Sequence, residues 1–98
     1  MGEVAKTIDN KLRSEFAPSR LAVEDESSRH HGHAGWREGG ETHFRVEIVS
    51  AAFEGQSRVA RQRLVYAALK DEFATGLHAL ALTTLTPEED KRTLSSRA

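Results

Sequence analysis

The chain has no cysteine. Disulfides are therefore excluded, as are thiolate nucleophiles and any thiolate-held metal site built by this chain alone. Long apolar runs are also missing, and nothing approaches the roughly 20 residues that a membrane-spanning helix needs. The opening stretch "MGEVAKTIDNKLRSEF" alternates its charges and has no apolar signal core, so the expected location is the cytoplasm. Lys6 stands where a myristoylation pattern requires Ser or Thr. Aromatic residues are few, with one Trp, one Tyr and four Phe, and hydrophobic residues make up 38% of the 98. That is enough for one modest core, hence a single domain over 1–98, with a core at about 3–90 and a flexible tail at 91–98. An excess of either charge is lacking too: a formal net charge of −1 argues against coating nucleic acid by bulk electrostatics. The balance is uneven, however. Segment 56–70 holds Arg58, Arg61, Arg63 and Lys70 and no acid, which leaves a local basic face in a near-neutral molecule.

What is present sorts into regular elements. Val4, Ile8, Leu12 and Phe16 recur every four residues and predict an amphipathic helix over about 3–16. Pro18 stops it, because the residue before a proline avoids the helical region. Leu21 and Val23 alternate with polar or small neighbours, as in a short strand. In "HFRVEIVS", Phe44, Val46 and Ile48 face one way and Arg45 and Glu47 the other, as in a second strand. Together the two read as an antiparallel hairpin with a long Gly-rich connection. Gly55 marks a turn and Ser57 an N-cap. A second helix follows over 58–73, with Val59, Tyr66, Leu69 and Phe73 as its seam, widened by Val65 and Ala68, and Gly76 in the position that ends it. The last strand is "LHALALTTL", with Leu80 and Leu82 sharing a face with His78. Thr86 and Pro87 open one terminal turn of helix. The expected fold class is α+β, in the order α-β-β-α-β, with the helices on one face of a three-stranded sheet.

Four of the five histidines lie in "RHHGHAGWREGGETHF": His30, His31, His33 and His43. Neutral imidazole is a good ligand for zinc, copper, nickel or iron. The plainest reading of the loop alone is an exposed polar segment that captures metal adventitiously. His78 differs, because it opens an otherwise apolar strand. It is either a half-buried side chain bonded to the backbone or a ligand that needs a second one nearby. Two histidines do not complete a tetrahedral zinc site, and Glu41 is the other donor in the loop. An iron–sulfur cluster requires thiolates, so a cluster bound here would be half a site, with a partner bringing the sulfur. Arg58 and Arg61, one turn apart, and Arg63 round the side could meet phosphate or a partner's carboxylates. Neither a phosphate loop nor a nucleophile–base arrangement is present, so nothing reads as a self-contained enzyme. Trp36 sits in the loop away from any apolar seam, either as a partner anchor or folded over the sheet edge.

The stretch "GGETHFRVEIVSAAFEGQSRVARQRLVYAALKDEFATGLHALALTTLTPEE" resembles the BolA-like proteins. The resemblance rests on Thr42-His43-Phe44, Phe53-Glu54-Gly55, Arg61 and Arg63 with Leu64-Val65, and Leu77-His78-Ala79-Leu80 in that order. It implies a type II KH-like fold and a non-enzymatic adaptor that pairs with a monothiol glutaredoxin and shares a [2Fe-2S] cluster with it. The partner would supply a cysteine and a glutathione thiolate, and this chain would supply His78 and a loop histidine. His33 is the first choice for the latter, with His30 and His31 as alternatives. Arg58, Arg61 and Arg63 would contribute the partner-binding surface. The helix departs from the family's Arg-His-Arg by carrying Gln62, which bears on helix-surface contacts and not on the cluster. The alternative reading is a KH-like nucleic-acid-binding transcriptional regulator. A third is a metal-scavenging loop on an inert scaffold. The expected state in isolation is a monomer with, at most, weak self-pairing, and no membrane association.

Overall fold

The computed structural model describes residues 3–26, 43–77 and 79–97, with side chains described up to 93. The first element, α1 (Glu3–Phe16), buries the predicted stripe Ile8, Leu12 and Phe16 together with Ala5. Ala17 takes a positive φ of 42° immediately before Pro18, so the chain turns out of the helix there. It then enters β1 (Arg20–Asp25), which pairs antiparallel with β2 (His43–Val49) in the register Arg20↔Val49 to Asp25↔Phe44. Strand β3 (Ala79–Leu85) lies parallel to β2 on its other side, from His43↔Ala79 to Val49↔Leu85, giving the order β1-β2-β3. That register places Leu21, Val23, Phe44, Val46, Ile48, Leu80 and Leu82 on one face. All pack in or against one core with Ile8, Leu12, Phe16, Phe53, Val65, Leu69 and Leu77.

Between β2 and β3 the chain first makes a short 3-10 turn, Ala51–Phe53. Ser50 fastens this turn to α1: its buried hydroxyl donates to the Phe16 carbonyl at 2.6 Å and accepts from the Ala52 amide at 3.0 Å. Gly55, at φ 76°, supplies the left-handed position in the turn that follows. Ser57 then caps α2 (Arg58–Ala68) as expected, accepting from the Ala60 amide at 3.1 Å. The single helix expected over 58–73 is interrupted. At Leu69 the backbone reaches φ −105° and ψ 16°, its amide is shared between Val65 and Tyr66 carbonyls, and α3 (Lys70–Thr75) resumes beyond it. The expected seam is also corrected. Arg61, Val65 and Leu69 are buried, whereas Val59 and Tyr66 are 57% and 39% exposed. Gly76, at φ 145°, ends α3, and the amides of Gly76 and Leu77 both reach the Glu72 carbonyl.

The C-terminal element is α4 (Pro87–Arg97), longer than the single turn expected, and its helical backbone occupies most of the segment read as a flexible tail. Its start is a capping box. The Thr86 hydroxyl accepts from the Glu89 amide at 3.2 Å, and the Glu89 carboxylate accepts from the Thr86 amide at 2.8 Å. Two ion-pair groups tie elements that are far apart in sequence. Lys11 on α1 bonds both oxygens of buried Glu72 on α3, at 2.9 and 3.0 Å. Arg20 on β1 bonds Glu47 on β2 at 2.7 Å and Asp90 on α4 at 2.5 Å.

Candidate functional site

The sheet register gathers three chain segments at one end. Strand β1 ends at Asp25 beside Phe44, β2 begins at His43, and β3 begins at Ala79 beside His43. The Glu26 amide donates to the His43 carbonyl at 2.7 Å and closes the hairpin ladder. Segment 27–42 therefore leaves and re-enters the sheet at the same end at which residue 78 joins β3. His30, His31, His33, Trp36 and His78 themselves lie outside the described residues. The described residues at this end of the sheet form a surface groove of about 480 Å³, lined by Glu26, His43, Phe44, Arg45, Ala79, Leu80 and Ala81.

Two polar side chains in this frame are nearly buried, His43 at 7% exposure and Glu26 at 8%. Arg45 donates its Nε to Glu26 at 3.1 Å, and that hydrogen bond raises the arginine's already high pKa. Burial of Glu26 is thus compensated by a charge-assisted bond. Among the described residues, no group of three or more His, Asp or Glu side chains converges as a ready metal site. The sequence marked His43 as one of the loop histidines and as part of Thr42-His43-Phe44, but did not single out Glu26. The signal for both was positional: each stands at a strand boundary flanking the Gly-rich segment.

The basic triplet is split by the fold. Arg58 and Arg63 are exposed on α2, but Arg61, expected beside them as a contact for a partner or nucleic acid, turns inward at 6% exposure. Its guanidinium donates to the carbonyls of Gln56 at 3.0 Å and Thr84 at 3.4 Å, and to the Glu89 carboxylate at 2.7 Å. The Arg61 hydrogen bond, helped by the Thr86 amide, lowers the Glu89 pKa from 4.5 to about 2. The cation serves the fold here, since the turn before α2, one strand end and one capping carboxylate all accept bonds from it.

Comparisons with known proteins agree with this fold. The family model described as "BolA-like protein" matches residues 12–89. Protein BOLA1, chloroplastic, from Arabidopsis thaliana is 49% identical over 87 residues, covering 87% of this chain and 54% of that protein, so the chain spans about half of that relative's length. The DNA-binding transcriptional regulator BolA of Escherichia coli is 43% identical over 86 residues, covering 88% of this chain and 78% of the relative. Among solved structures, the BolA domain of SufE1 from Arabidopsis thaliana superposes with a TM-score of 0.83 at 47% identity, over 91% of this chain and 98% of that one. These relatives bear names of regulators and BolA-like proteins. With its motif order, its three-stranded mixed sheet and these likenesses, the chain belongs to the BolA-like protein family.

Proposed function

We propose that this chain is a non-enzymatic adaptor that docks on a monothiol glutaredoxin and shares a [2Fe-2S] cluster with it, in iron–sulfur trafficking or iron sensing. The observation that carries the reading is the register: the two histidine-bearing segments, 27–42 and residue 78, both join the sheet at the end where His43, Glu26 and Ala79 meet. The donor chemistry suits half of a cluster site, because a cysteine-free chain can offer imidazole but no thiolate. His78 is the proposed fixed ligand, adjoining the first residue of a strand. His33 is the proposed second ligand, with His30 and His31 as alternatives. Mixed nitrogen and sulfur ligation gives such a cluster a higher potential than all-thiolate ligation. Arg58 and Arg63 are the cations free to meet the glutaredoxin and its glutathione, while Arg61 stays engaged with Glu89.

The test is anaerobic cluster reconstitution with a monothiol glutaredoxin and glutathione, followed by visible absorption and circular dichroism. A spectrum that requires this protein and is lost in His78→Ala is expected, and its loss in His33→Ala identifies the second ligand. If the glutaredoxin's own spectrum never changes, the adaptor reading falls.

A second reading, nucleic-acid binding, draws on exposed Arg58 and Arg63 and on the printed name of the Escherichia coli relative. Against it stand the net charge of −1 and the internal pairing of Arg61. It predicts DNA retention that weakens steeply with salt and further in Arg63→Ala, because each phosphate contact releases counterions.

A further inference from the structure

A second groove, of about 460 Å³, is lined by Tyr66, Phe73, Ala79 and Leu80. It lies between the α2–α3 pair and the outer edge of β3. We propose that it receives an extended, acidic segment of a partner protein, which adds to the sheet as a fourth strand beside β3.

The backbone of β3 provides the first argument. The strand is at the edge of the sheet, with no strand on its outer side among the described residues. The Leu85 carbonyl accepts from the Ser50 amide on the β2 side, so strand alternation turns the amides and carbonyls of Leu80 and Leu82 outward. Edge strands are ordinarily guarded by charge. At the opposite edge, β1 carries Arg20, Glu24 and Asp25, whereas β3, "ALALTTL", carries none. The far end of β3 is already engaged, since Arg61 donates to the Thr84 carbonyl. Among the described residues, the first half of the edge, beside the groove, stays open.

The groove wall provides the second argument. Tyr66, 39% exposed, meets Phe73 edge-on with ring centroids 5.6 Å apart, leaving an apolar recess for alternate side chains of an added strand. On the same helical stripe lie Arg63 and Lys70, both exposed and neither paired with an acid among the described residues. The stripe Val59, Arg63, Tyr66, Lys70 and Phe73 contains no acidic residue, which selects an occupant with Asp or Glu near its apolar positions. A second copy pairing through β3 brings no acid to meet these cations. A single-stranded nucleic acid would want a longer run of cations than two, and gains nothing from amides and carbonyls at strand spacing.

The experiment uses the whole 98-residue chain without metal or glutaredoxin, so its failure leaves the cluster reading untouched. A displayed library of random nine-residue peptides is selected against the chain, and bound peptides are mapped by amide chemical shifts. Acidic peptides with alternating apolar residues are expected, shifting Leu80 and Leu82. N-methylation of every second peptide amide should abolish binding in one phase and spare it in the other. Tyr66→Ala and Arg63→Glu, both at exposed positions, should each weaken binding by about tenfold with unchanged circular dichroism. Three outcomes overturn the proposal: no Tyr66-dependent peptide; an eight-nucleotide oligo-dT that binds this groove when peptides do not; or concentration-dependent self-association that shifts the same amides.

Discussion

Arg61 and Glu89 join α2 to the start of α4 through a 2.7 Å ion pair, with the arginine side chain 8% and the carboxylate side chain 30% exposed. The Glu89 pKa is lowered to about 2 in the folded chain, from an ordinary 4.5. A depressed carboxylate stabilises the fold fully above its unfolded pKa and ceases to do so as pH falls through its folded one. The pair's contribution is therefore complete above about pH 4.5 and is lost on the way down to about 2. Glu89→Gln should lower the denaturation midpoint at pH 7 and flatten the decline over that acid window. An unchanged slope there would show that other carboxylates set it. This pairing was not legible in the sequence. An arginine among other arginines reads as surface, and its partner lies in a different segment, where the "TPEE" pattern advertises helix capping but not the cation it also serves.

At the scale of elements, the helices differ in how openly they state themselves. The seam of α1 was legible because Ile8, Leu12 and Phe16 are apolar and its other face is charged. In α2 a charged residue occupies a core position and three large apolar ones, Val59, Leu64 and Tyr66, face solvent, so apolar periodicity pointed to a stripe rotated from the true one. Interruption at Leu69 was hidden for a related reason, since no Gly or Pro marks it. The corrected seam predicts a contrast between two valines. Val65→Ala, at a fully buried position, should cost about 2 kcal/mol from lost transfer and residual cavity. Val59→Ala should stay within about 0.5 kcal/mol, as for most exposed sites. Urea denaturation of both variants checks this, and equal losses would restore the original seam.

For the molecule as a whole, the first turn of α4 acts as a clasp. Asp90 reaches Arg20 on β1, and Glu89 reaches Arg61 on α2. Truncation after Thr86 removes both carboxylates and leaves Arg61 nearly buried without its acid. The expected loss is about 3 kcal/mol, measured by chemical denaturation. Truncation after Thr93 keeps both pairs and should be far milder. The fold class was readable because strand alternation and helix periodicity gave the element order. The placing of Ala79 beside His43 was not, because spacing along the chain says nothing about which strand β3 lies against. Parallel pairing of β2 with β3 has a consequence in time. The contact between His43 and Ala79 is long-range, and such pairings form late because the intervening chain must first be closed into a loop. During synthesis, a nascent chain carries all its loop histidines well before it has β3. Any use of His78 together with them must wait until the domain is complete.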